Sequence, residues 1–499
     1  MQIEANNYTI AVLGSGTMGQ GIAQIAGTAG HPVLLYDVSQ EQTQSAIENI
    51  AVRLKRSVNK EKITDKKRTQ ILANIKPVQT FEELAKAKLA IEAIIEDLLI
   101  KQDVFFQLES LLVEDAILAT NTSSIDLKEM GSVLKRPERL VGMHFFNPAP
   151  VMALVEVVQS TETDSEVADI VFSLAEQWGK SPVHVCSSPG FIVNRAARPF
   201  YSEALAILKE GGTDAATCDA IMRECGGFRM GPFELMDLIG LDVNYSVTCQ
   251  IWESYQRHPR FTPSVLQKEL VDSGRLGRKS GQGFFEYGVD VEMQVPKNAP
   301  ESPAPISLII EGPEKLPHSL LKLIERGSLK TKNISGNGVI RLPAGAAVMI
   351  SNGKSSTERS FDLGENVISL DLCLDYFQSP RIAFAPASQC SANALQEAVG
   401  LFQSLGKLVS VLKDIPGMVL TRTVAMLSNE ASLLVQEEVS DAAGVNLAMK
   451  KGVNYPQGPL EWAEQWGFFL VVETLDNLRK FYGERYQVSS WLQQKAKQN

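Results

Sequence analysis

Apolar residues run unbroken from Thr9 to Leu13 and lead directly into a glycine-rich turn, residues 14–19, followed by a stretch with helical spacing, QGIAQIAGTAGH. A run of this kind predicts a strand buried on both faces, and its hand-over to a turn and a helix predicts the first unit of a parallel sheet. Similar runs at Pro32–Tyr36, Leu89–Ile95, Ala116–Thr120 and Leu140–His144 are separated by helical segments. The expected architecture of this part is a doubly wound α/β sheet. From Pro189 to about Tyr255 the pattern changes to helices with few strand signals. Residues 293–305 hold four prolines and no periodic apolar pattern, as expected of an exposed extended linker. Residues 306–408 show short apolar segments (Val339–Leu342, Ala347–Ile350, Ile382–Ala385) but no glycine fingerprint, which predicts a reduced α/β domain.

The chain also repeats itself. A shift of 227 places superposes 178–240 on 405–467 without a gap and with sixteen identities, where ordinary residue usage gives about four by chance. Gly179-Lys180 matches Gly406-Lys407, Pro189-Gly190 matches Pro416-Gly417, Arg195 matches Arg422, and Gly231-Pro232-x-Glu234 matches Gly458-Pro459-x-Glu461. The helical domain is therefore expected twice. The predicted organisation is a sheet domain at 1–188, a helical domain at 189–290, a linker at 291–305, a reduced sheet domain at 306–408 and a second helical domain at 409–499.

Composition narrows the function. With 499 residues, 44% hydrophobic and 21% charged, the chain is too long for one core and ordinary for a globular protein. A net charge of −10 argues against a nucleic-acid partner. No apolar stretch reaches the roughly 20 residues of a membrane span, and the N-terminus carries acid before its apolar run, so a cytoplasmic protein is expected. Six cysteines without a C-x-x-C pair argue against a disulfide framework or a metal site.

Gly14, Gly16 and Gly19, with Thr17 and Met18 between them, form the G-x-G-x-x-G pattern of a dinucleotide-binding Rossmann turn. Gly14 suits the turn, Gly16 the approach of a pyrophosphate, and Gly19 the packing of helix on strand. Asp37, ending the second strand, is placed to accept hydrogen bonds from a ribose and to repel a 2′-phosphate, which favours NAD over NADP; a helix cap or turn role is the competing reading. His144 ends a buried strand in VGMHFFNPAP, where doubly wound folds place ligands. Glu156, inside the apolar segment LVEVV, needs a partner, because a buried unpaired carboxylate costs several kcal/mol, on the order of any desolvated charge. A histidine held by such a glutamate would suit a general base for alcohol oxidation.

The set GSGTMGQGIAQ, IIEDLLIKQ, TNTSSI, MHFFNPAPVMALVEVV, SSPGFIVNR, MGPFELMDLIGLD and GRKSGQGFFEY resembles the NAD-dependent L-3-hydroxyacyl-CoA dehydrogenase family in order and spacing through residue 287. The whole layout, with its reduced second half, is similar to long bacterial members that act in phenylacetate degradation on 3-hydroxyadipyl-CoA or 3-hydroxybutyryl-CoA. The resemblance implies His144 as base and Glu156 as its orienting carboxylate. It implies Ser123 and Asn194 as hydrogen-bond donors to the reacting oxygen, and Glu96, Lys101, Asn121 and Asn147 on the cofactor side. An acyl-CoA substrate and a CoA-binding helical hairpin around Arg53–Arg68 are also implied, a basic run that reads equally as a solvated helix face. The family commonly has Lys where this sequence has Ala153.

In the second copy Thr421 stands at the position of Asn194 and Ala383 at that of Glu156, so the second half is expected to be inert. Short family members pair two helical domains in a dimer. Residues 409–499 are expected to supply that pairing within one chain, with a homo-oligomer left open. No hydratase-like segment precedes the glycine turn, so the bifunctional arrangement is not expected. The rival readings are a dehydrogenase of a free hydroxy or sugar acid and a catalytically silent NAD-binding scaffold.

Overall fold

The structure is a computed structural model that describes residues 4–289, 291–292 and 294–498. Residues 1–3 of the expected first domain, residue 290 of the expected helical domain, residue 293 of the expected linker and the final residue lie outside that description. The chain divides into two units, Met1–Arg195 with Glu437–Val453, and Ala196–Gln436 with Asn454–Asn499.

The first unit is built on β1 (Ile10–Leu13), β2 (Val33–Tyr36), β3 (Ile75–Pro77), β4 (Leu89–Glu92), β5 (Ile117–Thr120), β6 (Leu140–Phe145), β7 (Leu154–Gln159) and β8 (Ser181–Cys186). Their order is β3-β2-β1-β4-β5-β6-β7-β8, parallel except where β6 meets β7. Strand residues alternate between two cores: Ile10 and Val12 join one, Ala11 and Leu13 the other. Two-sided burial is why these strands read as unbroken apolar runs.

Two differences from the sequence reading have local causes. The run Leu89–Ile95 ends as a strand at Glu92, whose carboxylate accepts the Ile94 N–H at 2.7 Å and turns the chain. The strands β3 and β8, which no apolar run announces, lie at the two edges, where Pro77 and Pro182 are tolerated. Helix α1 (Thr17–Ala29) follows the glycine turn, while α2 (Gln40–Asn59) and α3 (Asp65–Asn74) form a helical hairpin capped by Ser39 and Thr64. The expected second helical domain also sends the helix Ala442–Gly452 into this unit, where it packs on β7 and β8.

The second unit holds a mixed sheet of β9 (Ser307–Glu311), β10 (Lys330–Ile334), β11 (Val339–Arg341), β12 (Ala346–Ile350), β13 (Asn366–Leu370), β14 (Arg381–Pro386) and β15 (Leu408–Val411), in the order β10-β9-β11-β12-β13-β14-β15. Its helices Arg198–Lys209 and Leu420–Gln436, one from each copy of the repeat, pack on each other. The proline-rich segment is extended but not loose. Ala299 N donates to Val409 O at 2.7 Å, and Gln403 Nε2 donates to the carbonyls of Ala299 and Pro300, so the segment straps the edge at β15.

The repeat holds at the level of single bonds. In the first unit Cys186 N donates to Val439 O at 2.8 Å; in the second, Lys413 N donates to Gly212 O at 3.1 Å, and the 227-place shift relates donor to donor and acceptor to acceptor. Arg195 pairs with Glu437 at 2.5 Å and Arg422 with Glu210 at 3.0 Å in the same reciprocal way. Residue i of one copy meeting j of the other, and j meeting i, is the signature of an isologous contact.

Candidate active site

Gly14 has φ 95° and a Cβ there would collide with the Ala93 carbonyl oxygen, so the turn requires glycine. At Gly16 nothing lies within 4 Å of a Cβ position, which leaves open space at the start of α1. A Cβ on Gly19 would strike the Gly14 carbonyl oxygen, so this glycine keeps α1 against the turn. The helix begins at Thr17 and Met18, with first-turn amides that have no intrahelical acceptor. An anionic pyrophosphate fits such an end through those N–H groups and the positive end of the helix dipole.

Asp37 sits at the end of β2, as the sequence predicts, and is already engaged. Its Oδ2 accepts from Ser15 N and Ser15 Oγ, both at 2.8 Å, and its Oδ1 accepts from Ser39 N at 3.0 Å. The turn role does not exhaust the side chain, because a carboxylate offers about four acceptor sites.

The residues expected on the cofactor side, at the ends of β4 and β5, include one ionic cluster. Lys101, 1% exposed on the helix Leu98–Leu111, bonds Glu92 at 2.6 Å and Glu96 at 3.0 Å. Glu92, fully buried, also accepts from Thr120 Oγ1 at 2.7 Å. Glu96 Oε1 accepts from Thr122 Oγ1 (2.5 Å), Ser123 N (3.2 Å) and Ser124 Oγ (2.9 Å), so it shapes the turn that carries Ser123. Burial works to raise the Glu96 carboxyl, but the Lys101 charge and the Thr122, Lys101 and Ser124 hydrogen bonds outweigh it and hold it below the usual range. Asn121 Oδ1 accepts from Phe145 N at 2.9 Å and ties this turn to the end of β6, while Asn147 is exposed in the turn beyond. Glu92 escaped the sequence reading because it looks like one more residue of an apolar strand. The signal was its spacing of nine residues from Lys101, which puts a cation within reach of a buried acid.

His144 and Glu156 are register partners on β6 and β7, and His144 Nδ1 lies 2.6 Å from Glu156 Oε2. His144 is 6% exposed and flanked by Phe146 and Phe191, with ring centroids at 4.6 Å and 5.6 Å. Glu156 is fully buried, and its Oε1 accepts from Ile192 N and Val193 N, each at 3.0 Å. The acidic acceptor at Nδ1 fixes the imidazole tautomer: the proton sits on Nδ1, and Nε2 carries the free lone pair. Asn194 follows directly on the turn that Glu156 caps. The Ser123 hydroxyl has no hydrogen-bond partner among the described residues.

In the second unit Asp371 stands at the place of His144 under the 227-place shift, with Ala383 at that of Glu156. Asp371 accepts from Val419 N, Leu420 N and Thr421 N, the equivalents of the Ile192–Asn194 amides, and from Thr421 Oγ1 at 2.7 Å. The capping carboxylate has moved one strand across and the imidazole is gone. Sequence reasoning missed Asp371 by looking for the carboxylate only at the Glu156 position. Among the described residues no cluster of potential metal ligands occurs and no helix is long and apolar enough to cross a membrane.

Comparison with known proteins agrees with this geometry. Residues 9–188 match the 3-hydroxyacyl-CoA dehydrogenase NAD-binding domain, residues 190–287 and 417–499 both match the C-terminal domain of that family, and 348–416 match the reduced Rossmann-fold domain of 3-hydroxybutyryl-CoA dehydrogenase. The chain is 40% identical to the 3-hydroxyadipyl-CoA dehydrogenase of Escherichia coli (strain K12) over 98% of each chain. It is 39% identical to the 3-hydroxybutyryl-CoA dehydrogenase of Clostridioides difficile over 56% of this chain and 99% of the relative. The crystal structure of 3-hydroxybutyryl-CoA dehydrogenase from Escherichia coli K12 superposes with a TM-score of 0.88 at 39% identity, covering 99% of both chains. With such identity over almost its whole length, and with the NAD-binding and C-terminal domains both present, the chain belongs to the 3-hydroxyacyl-CoA dehydrogenase family and is an NAD-dependent oxidoreductase of it.

Proposed function

We propose that the chain oxidises a short L-3-hydroxyacyl-CoA, 3-hydroxyadipyl-CoA or 3-hydroxybutyryl-CoA, at a single centre formed by His144, Glu156, Ser123 and Asn194. The observation that carries this reading is the buried His144–Glu156 pair, with its carboxylate anchored on the backbone beside Asn194. His144 Nε2 takes the proton of the C3 hydroxyl while Nδ1 stays bonded to Glu156, which stabilises the imidazolium that results. Ser123 and Asn194 hold the C3 oxygen as it becomes a carbonyl. Bound NAD supplies the hydride acceptor, and Gly14, Gly16, Thr17, Met18, Gly19 and Asp37 are assigned to its pyrophosphate and adenine ribose. Glu96, Lys101, Asn121 and Asn147 are assigned to its nicotinamide side.

The domain reading is 1–188 for the cofactor, 189–290 for substrate and pairing, 291–305 as strap, 306–408 as reduced sheet and 409–499 as the inert helical partner. The reciprocal bonds of the two copies support an intrachain pseudo-dimer. The hairpin of α2 and α3 is assigned to CoA. Its basic residues are only partly spent: Arg53 is held by Gln20 and Gln24, and Arg68 by Asp65. Six free cysteines, three of them buried, support a reducing, cytoplasmic setting. The test is NADH formation with each of the two acyl-CoA substrates in parallel, compared as kcat/KM. A dicarboxylate preference supports the adipyl assignment and a C4 preference the butyryl one. Turnover of neither, with oxidation of a free hydroxy acid instead, would overturn the reading.

A further inference from the structure

Among the described residues, the cluster at the ends of β4 and β5 sets two carboxylates, Glu92 and Glu96, against one ammonium, Lys101. Its other members, Thr120, Thr122 and Ser124, contribute hydroxyls. Asp97 stands beside it, exposed, and caps the helix Leu98–Leu111 by accepting from Ile100 N at 3.0 Å, so its charge faces solvent and the helix dipole. Glu96, partly exposed, would by itself neutralise Lys101. The surplus is Glu92, which is fully buried.

Glu92 meets only donors: Ile94 N at 2.7 Å, Lys101 Nζ at 2.6 Å and Thr120 Oγ1 at 2.7 Å. Thr120 Oγ1 in turn accepts from Thr122 N at 3.1 Å, so its own hydrogen is directed at Glu92. These bonds do not by themselves require a charge. A glutamine oxygen could accept from Ile94 N and Lys101 while its amide donates to Thr120. Burying a second carboxylate beside an ion pair that is already complete costs stability, because it leaves water without a cation of its own.

The place of this charge gives it a use. Ala93 and Ile94 follow Glu92, and theirs is the backbone that a Cβ on Gly14 would strike; Ala93 N donates to Leu13 O at 2.8 Å. The surplus therefore lies at the carboxyl ends of β1 and β4, where the strand order reverses and doubly wound sheets hold a dinucleotide. With the adenine ribose assigned to Asp37 on β2 and the pyrophosphate to α1, the nicotinamide half is left to the β4–β5 side.

We infer that Glu92 weights the site toward the oxidised cofactor. Its uncompensated charge attracts the nicotinium ring of NAD, whose positive charge disappears when the hydride arrives and the ring becomes that of NADH. Being fully buried, Glu92 acts by its field rather than by contact, as a residue that sets preference between the two redox states. The inference rests on the cofactor placement proposed above.

The test titrates the full chain with NADH by its fluorescence and with NAD by displacement of NADH, at one pH and one salt concentration. It reads the ratio of the two Kd values, NAD over NADH. Glu92→Gln removes the buried charge and keeps an acceptor. Glu96→Gln removes an equal charge from the partly exposed member and keeps the test open where the first variant does not fold. Thr120→Val removes a hydrogen bond and leaves every charge in place. The ratio should rise about fivefold or more in both glutamine variants and hold within about twofold in Thr120→Val. A purely structural glutamate would weaken both cofactors alike. An unchanged ratio in the glutamine variants, or an equal rise in Thr120→Val, would therefore overturn the inference while leaving the dehydrogenase reading intact. A parent chain that binds neither cofactor would overturn the cofactor placement, and the inference with it.

Discussion

Glu156 performs two tasks with two oxygens, and replacing it separates them. Oε1 accepts from the Ile192 and Val193 amides and Oε2 holds His144 Nδ1. In Glu156→Ala three buried donors lose their acceptor, and at about 1–3 kcal/mol each the unit should lose about 3–9 kcal/mol. In Glu156→Gln one carbonyl oxygen remains for the two amides, so stability should fall by only about 1–2 kcal/mol. The amide NH₂ of the glutamine then faces the imidazole and donates to Nδ1. That drives the ring proton to Nε2, where the base must have a lone pair, and kcat should fall about 10²- to 10⁴-fold. Urea unfolding followed by far-UV circular dichroism gives the stabilities, and NADH absorbance gives kcat. Glu156→Gln retaining more than about a tenth of the activity would refute the tautomer argument. Glu156→Ala losing less than about 1 kcal/mol would refute the capping argument.

Lys101→Met leaves Glu92 buried without its cation, so the first unit should lose about 3–5 kcal/mol, and the KM for NAD should rise as the Ser123 turn loosens; urea unfolding and initial rates check both. Burial pushes the Asp219 carboxyl up to about 7, against hydrogen bonds from Phe233 N and Glu234 N and the charge of Arg223. The folded state therefore keeps a proton that the unfolded chain releases near pH 4, so this group's contribution is full below pH 4 and is lost as pH rises through 7. Asp219→Asn, matching Asn446 in the second copy, should gain on the parent by about 2–3 kcal/mol between pH 5 and pH 8; an equal difference at both pH values would count against it. Deleting residues 306–499 removes the partner that bonds Arg195 and covers β7 and β8, and light scattering should find self-association. A stable, fully active monomer would contradict the pseudo-dimer.

The sheet behind the glycine turn was legible because strands buried on both faces are continuous apolar runs, and because backbone contacts demand glycine at Gly14 and Gly19 while Gly16 leaves the start of α1 open. The edge strands β3 and β8 were not, since a strand with one unpaired side admits Pro77 and Pro182, and His184 is exposed. Nor was the destination of the helix Ala442–Gly452: an amphipathic pattern shows which face is covered and not which sheet covers it. The His144–Glu156 pair needed a motif to be found, because a strand-end histidine and a buried glutamate are individually ordinary. Asp371 was recoverable from the same shift that relates Glu156 to Ala383, had the His144 position been read with it.

The central claim is that one copy of the repeat carries the chemistry and the other only the architecture. The most direct measurement is NADH formation by the full-length His144→Gln variant at saturating substrate, with NAD binding followed in parallel by fluorescence titration. The account predicts a fall of at least about 10³-fold in kcat with one NAD still bound per chain. Residual activity above about a tenth of the parent would show that a second centre, or a different base, does the work.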